Sequence, residues 1–221
     1  MAMTDIELHE DVLEELALDP RLDADDIAIG VRGGVVTLMG NVPSLLQKWE
    51  AEAAVKRVNG VRAIANELQV ELPGMHVRDD ADIARSVEMR LSSNQLIPNG
   101  VQAVVSNGHV TLSGNVHWHY QLEEAALEVF RTEGVKGLTN LIVVESDAAP
   151  SPDDVQRRIH GELQRAADLD AKRVHVAVER GTVRLSGSVR TWLEHDKAVQ
   201  AAWSVAGVRS VDDLIAVEPE R

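Results

Sequence analysis

The chain has 221 residues, 44% hydrophobic and 26% charged, with a net charge of -14 and no cysteine. The missing cysteines exclude disulfides, thiolate zinc sites and cysteine nucleophiles, and no apolar run approaches the roughly 20 residues that cross a bilayer. Basic against acidic residues number 6 to 14 over 1–72, 5 to 10 over 73–150 and 11 to 12 over 151–221, so the acidic whole repels nucleic acid and anionic membranes except at its Arg-rich last third.

The N-terminal stretch Met1 to Glu15 is acidic and lacks the basic region and apolar core of a secretory signal. A cytoplasmic location is therefore expected, or a periplasmic one if a signal peptide has been removed. A helix follows at once. Thr4 and Glu7 fit a capping box, and Leu8, Val12 and Leu16 mark one buried face. The same spacing returns as Ile83, Val87 and Leu91, capped by Asp79 or Asp80, and as Val155, Ile159 and Leu163 after Ser151, Pro152, Asp153 and Asp154.

Each helix leads into a strand of period two, with inward Ile27, Ile29 and Val31 matching Val101, Ala103 and Val105, then Val174, Val176 and Val178. A tight turn comes next, at Gly33 and Gly34, Asn107 and Gly108, or Arg180 and Gly181. The second strand carries the most regular signal in the chain: GVVTLMG from Gly34 to Gly40, GHVTLSG from Gly108 to Gly114 and GTVRLSG from Gly181 to Gly187. Its closing glycine predicts positive φ or a close backbone approach where the chain leaves the sheet.

A second helix runs to Gly60, Gly134 or Gly207, each 20 residues beyond the closing glycine. Its buried stripe is Ala51, Val55 and Val58, then Ala125, Val129 and Thr132, then Ala198, Ala202 and Val205. A third strand closes the unit with Ile64, Leu68 and Val70, with Leu138, Ile142 and Val144, and with Val211, Ile215 and Val217. The short loop joining the first two strands predicts an antiparallel hairpin, and the helical crossover lets the third lie parallel to the second.

The expected fold class is α+β: three tandem αββαβ modules at 4–72, 79–146 and 151–218, each a three-stranded mixed sheet covered on one face by two helices. About 70 residues give a marginal core, which favours packing of the modules on one another. The joins, Pro73 to Arg78 and Asp147 to Pro152, read as exposed linkers.

With the G-x-V-x-L-x-G hairpin and the glycine beyond it repeated three times, the chain resembles the BON-domain family, named for bacterial osmotically inducible and nodulation proteins. The resemblance covers nearly all of residues 4 to 218. It implies non-catalytic modules of envelope and stress proteins that bind phospholipid or other macromolecules, and Gly34, Gly40, Gly60, Gly108, Gly114, Gly134, Gly181, Gly187 and Gly207 are its structural glycines.

Several side chains invite a chemical role. Ser113 and Ser186 sit in the hairpin motif, but Met39 fills the same slot in the first copy and no copy shares a histidine and carboxylate to complete a triad. His117 and His119 are weak metal candidates if they share a strand face, yet neighbouring copies read Pro43, Ser44 and Leu45 or Arg190, Thr191 and Trp192, so an exposed or packing cluster at the mouth of the second helix is the favoured reading. The acidic Asp19, Asp23, Asp25 and Asp26 lack the spacing of an EF-hand loop. No pattern points to a cofactor.

Only four Trp, one Tyr and one Phe are present. Trp118, Tyr120 and Trp192 near the start of the second helix, and Phe130 and Trp203 late in it, either pack one module onto the next or meet a lipid or protein. Arg157, Arg158, Arg165, Lys172, Arg173, Arg180, Arg184 and Arg190 either form an anionic-lipid patch or, interleaved with Asp153, Asp154, Glu162, Asp168 and Asp170, a solvated mixed-charge surface. The leading expectation is a non-enzymatic, stress-associated protein contacting phospholipid or client proteins through Trp118, Tyr120, Trp192, Trp203, Arg173, Arg180, Arg184 and Arg190. The alternative is a ligand or cation sensor using the acidic first module; an enzyme comes third.

Overall fold

The computed structural model describes residues 3–74, 78–145, 151–165 and 171–218. The first module contains α1 (Asp5–Leu18), β1 (Ile27–Arg32), β2 (Val35–Val42), α2 (Leu45–Arg57), β3 (Ala63–Asn66) and β4 (Gln69–Val70). The second contains α3 (Asp80–Ser93), β5 (Gln102–Ser106), β6 (His109–Val116), α4 (His119–Phe130) and β7 (Gly137–Val144). The third contains α5 (Pro152–Arg165), β8 (Val174–Glu179), β9 (Thr182–Val189), α6 (Trp192–Trp203) and β10 (Ser210–Val217). Three repeated α+β modules are thus present, each with the motif strand at the centre of its sheet, antiparallel to the strand before it and parallel to the strand after it.

The helix starts follow local chemistry. Thr4 accepts from the Glu7 amide while Glu7 reaches back to the Thr4 amide at 2.7 Å, and Asp79 caps α3 by accepting from Asp82 N at 2.7 Å. The faces facing the sheets are those the spacing predicts: Leu8, Val12 and Leu16, Ile83, Val87 and Leu91, and Val155, Ile159 and Leu163 are all buried. In the second helices Ala51, Ala125 and Ala198 are fully buried, so their backbones lie close to the central strands. The linker Pro73 to Arg78 falls partly, and Asp147 to Pro152 mostly, outside the described residues, as do Asp168 and Asp170.

The turn residues Gly33 and Gly34, Asn107 and Gly108, and Arg180 and Gly181 all have positive φ, from 49° to 83°, as a two-residue hairpin with the right twist requires. Gly40, Gly114 and Gly187 reach φ 112° to 128°. A Cβ there would run into the carbonyl oxygen of Asp26, Gly100 or Arg173, which crosses just in front of the motif strand.

One polar position recurs that the aliphatic pattern conceals. Asn66 donates to the Lys48 carbonyl at 3.2 Å, and the equivalent Asn140 points to the Leu122 carbonyl at 3.4 Å. In the third copy the slot holds Asp213, a carboxylate that cannot donate. There the residue above it is His195, whose Nε2 lies 2.8 Å from Asp213.

The modules touch through their second helices in a cyclic order. Trp49 in α2 stacks on Phe130 at the end of α4, ring centroids 5.6 Å apart. His119 at the start of α4 stacks on Trp203 at the end of α6 at 4.3 Å. Asp196 in α6 returns to Lys56 near the end of α2 at 3.2 Å. Aligning the copies makes Phe130, Trp203 and Lys56 one position and Trp49 and Asp196 another, so the head of each helix meets the tail of the next and the third closes on the first. At the leading position of each helix, Leu45 is buried in the core of the second module and Trp192 packs against that of the first.

Candidate functional site

Where α4 meets α6 the junction stays open. A groove of about 560 Å³ is lined by Trp118, Tyr120 and Glu123 on one side and Arg165, Lys197 and Trp203 on the other. It continues along α5 past Arg157, Arg158 and Glu162. The aligned stretch of the second module, along Asp82, Arg85 and Arg90 of α3 and past Arg131, borders a space of similar size, about 560 Å³, whereas the gap beside Ser44 and Thr132 is about 240 Å³ and is lined in part by Leu72 and Pro73 of the connecting chain.

Trp118 occupies an N-cap. Its counterparts Ser44 and Thr191 cap their helices through hydroxyls that accept from Gln47 N and Glu194 N. An indole cannot accept such a bond; Gln121 accepts from the amides of His117 and Trp118 at 3.0 and 3.1 Å, a reach-back that Glu194 also makes to Arg190 N in the third copy, where the Thr191 cap is kept. Trp118 remains 39% exposed and Tyr120 46%. Both rings stand at the rim of the groove.

Trp203 and Trp192 differ from them. Trp203 is half-buried, its face covered by His119, while Trp192 is half-buried against the first module and tilted against His195. The four tryptophan and tyrosine side chains singled out from sequence therefore divide into a displayed pair and a packing pair. The arginines divide too. Arg184 bonds Asp212 at 2.9 Å, Arg173 bonds the Ser188 hydroxyl at 2.9 Å, and Arg190 approaches the start of α6, its amide donating to Glu194. Arg180 sits at the tip of the third hairpin. None of these four lines the groove; Arg157, Arg158 and Arg165 do.

The groove carries mixed charge. Arg165 pairs with Glu162 at 2.6 Å and Arg157 with Asp154, and burial raises the Glu123 pKa and lowers that of His119. Neutral His119 is thus the form fitted to the Trp203 indole. Lys197 and Gln200 were missed by sequence reasoning, because helix spacing alone does not say which flank faces a neighbouring module. The signal for the site was nevertheless present: an aromatic residue where two sister copies carry a capping hydroxyl.

His117 and His119 do not share a strand face, the condition for their weaker reading as metal ligands. β6 stops at Val116, His117 bonds the Glu145 carbonyl from the loop, and His119 opens α4 against Trp203. In the first module Asp19 is buried and accepts from Arg21 at 2.6 and 2.8 Å and from Arg57 at 3.2 Å. These bonds hold its carboxyl well below the usual range, so its charge is already matched. Among the described residues no group of three His, Asp or Glu side chains is placed to hold a metal ion, no histidine or carboxylate bonds the hydroxyl of Ser113 or Ser186, and no helix is long and apolar enough to cross a membrane.

Comparison with known proteins agrees with this architecture. The family model described as BON domain matches residues 4–71, 79–146 and 151–219. Osmotically-inducible protein Y of Escherichia coli (strain K12) is 27% identical over 150 residues, 62% of this chain and 71% of that protein. Among solved structures, CdsD, a structural protein of the type III secretion system of Chlamydia trachomatis, overlaps 97% of this chain and 94% of its own at 19% identity and a TM-score of 0.28. The PrgH periplasmic domain overlaps 93% of this chain and 99% of its own at 10% identity and a TM-score of 0.22. Scores that low carry no argument. Three tandem matches, falling on three copies of one αββαβ module, show that this chain belongs to the BON-domain family.

Proposed function

We propose that this chain is a non-catalytic, stress-associated binding protein that contacts anionic phospholipid through the groove between its second and third modules. The similarity to an osmotically inducible protein supports the stress association. The observation that carries the binding site is Trp118: a helix start worth about 1 kcal/mol when capped by a hydroxyl gives up that cap to display an indole beside Tyr120. Indole and phenol rings suit a boundary that is apolar on one side and wet on the other. Arg157, Arg158, Arg165 and Lys197 supply cations along the same groove, where each basic residue near an anionic surface contributes about 1 kcal/mol.

Co-sedimentation with phosphatidylcholine vesicles, with and without phosphatidylglycerol, tests the proposal. Binding is expected only with the anionic lipid and only at low salt. Trp118→Ser restores the capping hydroxyl while removing the ring, so the variant should fold at least as stably as the parent and lose about tenfold in vesicle affinity. No binding by the parent, or equal binding by the variant, refutes the site. A client protein retained by the parent and released by Trp118→Ser in the absence of lipid would reassign the groove to protein contact.

A further inference from the structure

The three hairpin tips are built alike but are not equally filled. In the first module Asp5 places one carboxylate oxygen 2.8 Å from Gly33 N and the other 3.2 Å from Gly34 N. In the second, Asp80 does the same to Asn107 N and Gly108 N at 2.7 and 2.8 Å. Two successive amides with positive φ converge on one anion in each case, a backbone arrangement suited to oxyanions. These are two independent examples, within one molecule, of this turn ligating a carboxylate.

The third tip has the same turn, with φ 49° at Arg180 and 83° at Gly181. The anion is missing. Aligning the first helices on Leu8, Ile83 and Val155, each the first buried residue of its stripe, places Pro152 where the other copies have Asp5 and Asp80. Proline has no side-chain acceptor, and among the described residues no side chain accepts from the amide of Arg180 or Gly181. The first turn residue changes in step: it is Gly33, then Asn107, then Arg180. A cation thus enters the turn in the copy that has lost its internal carboxylate. The stem of Arg209 lies along the same turn, and Glu179 is the acidic neighbour in the strand.

We propose that the hairpin tip of the third module is a phosphate-binding seat, in which the amides of Arg180 and Gly181 and the Arg180 guanidinium hold the group that Asp5 and Asp80 replace in the sister modules. Phosphate presents two oxygens to the paired amides as a carboxylate does, with further oxygens left for the guanidinium. The phosphate belongs to a lipid headgroup or to a free phosphate ester. The choice between those sources rests on the membrane-contact reading above; the seat itself does not.

The test follows amide resonances of the full chain during titration with inorganic phosphate at low ionic strength. Arg180 and Gly181 amides are expected to shift saturably, while Gly33, Gly34, Asn107 and Gly108, already bonded to aspartate, stay in place. Pro152→Asp should move the Arg180 and Gly181 resonances toward their bonded positions without phosphate and weaken phosphate binding by about tenfold or more. Asp80→Ala should open a second seat at Asn107 and Gly108. Arg180→Gly keeps a residue suited to the turn and should weaken binding without abolishing it. Equal shifts at the three tips of the parent, or unchanged phosphate titration in Pro152→Asp, overturn the proposal. The vesicle arm separates the sources. Phosphate shifts without vesicle binding leave a seat for free phosphate and sink the membrane reading, whereas vesicle binding undiminished in Pro152→Asp means that lipid does not use the seat.

Discussion

Leu45→Ala tests whether the modules form one cooperative unit. Leu45 is the first residue of α2 in the first module, yet it is 7% exposed and belongs to the core cluster of the second, with Ile83, Val116 and Ile142 among its members. Truncation removes three carbons from a buried site at about 0.8 kcal/mol each, and incomplete collapse of the space adds to the loss. The expected cost is about 2 to 4 kcal/mol. Urea unfolding of the full chain, followed in parallel by tryptophan fluorescence and far-ultraviolet circular dichroism, should show one shared transition in the parent. In the variant the shared transition should move to lower urea or split, with the second module lost at the lower concentration. The exposed Leu193→Ala serves as control and should shift stability by about 0.5 kcal/mol or less. A Leu45→Ala cost no larger than that of the control would refute the reasoning, since it would mean that the junction contributes nothing.

Three further outcomes are expected. Gly114→Ala forces a Cβ against the Gly100 carbonyl at φ 128° and should cost about 3 kcal/mol, whereas Gly33→Ala, with open space around it, should cost about 1 kcal/mol by thermal unfolding. Asp80→Ala, which strips two amide bonds from the second hairpin, should lower stability by about 1 to 2 kcal/mol in the same assay. Two junction histidines should respond to pH in opposite senses. His195, whose pKa is raised by its bond to Asp196 against the effect of burial and with help from Asp213, contributes stability that is complete below about pH 6.5 and lost as pH rises through its folded value. His119, lowered by burial, contributes stability that is complete above about pH 6.5 and lost as pH falls toward its folded value. Stability curves of His119→Phe and His195→Gln against pH, showing loss of the acid-side and base-side slopes respectively, check both signs; slopes unchanged from the parent refute the assignment.

Much of the fold was legible because each module states its register several times. Leu8, Val12 and Leu16, the Val36 and Leu38 pair, and Ala51 and Val55 lie on faces fixed by helix and strand periods, and three aligned copies remove ambiguity. The sheet order followed from loop length. The site was less legible because it depends on the orientation of one module against the next, which no local period encodes. Trp118 and Trp192 occupy neighbouring slots in their copies, yet one rings a groove and the other plugs a junction. For His117 and His119 the comparison of copies was the better guide: alternation cannot be extended past Val116, where the strand ends and the helix turn takes over. Asn66, Asn140 and Asp213 passed unnoticed because an isolated polar residue in a strand has no periodic signature; only the change from amide to carboxylate, matched by His195, gives it meaning.

The cyclic order of the second helices bears on how many molecules share a fold. A head-to-tail contact between like units has no built-in end: it closes if the rotation permits and otherwise propagates into a filament. Here the three contacts are an aromatic stack between Trp49 and Phe130, an imidazole on an indole between His119 and Trp203, and an ion pair between Asp196 and Lys56. The ion pair differs in kind from the two ring stacks: Lys56 suits the Asp196 carboxylate, and an aromatic tail in its place would remove that counter-charge. The third contact therefore marks where the circle closes: Asp196 of the last module is matched by charge to Lys56 of the first and to neither aromatic tail.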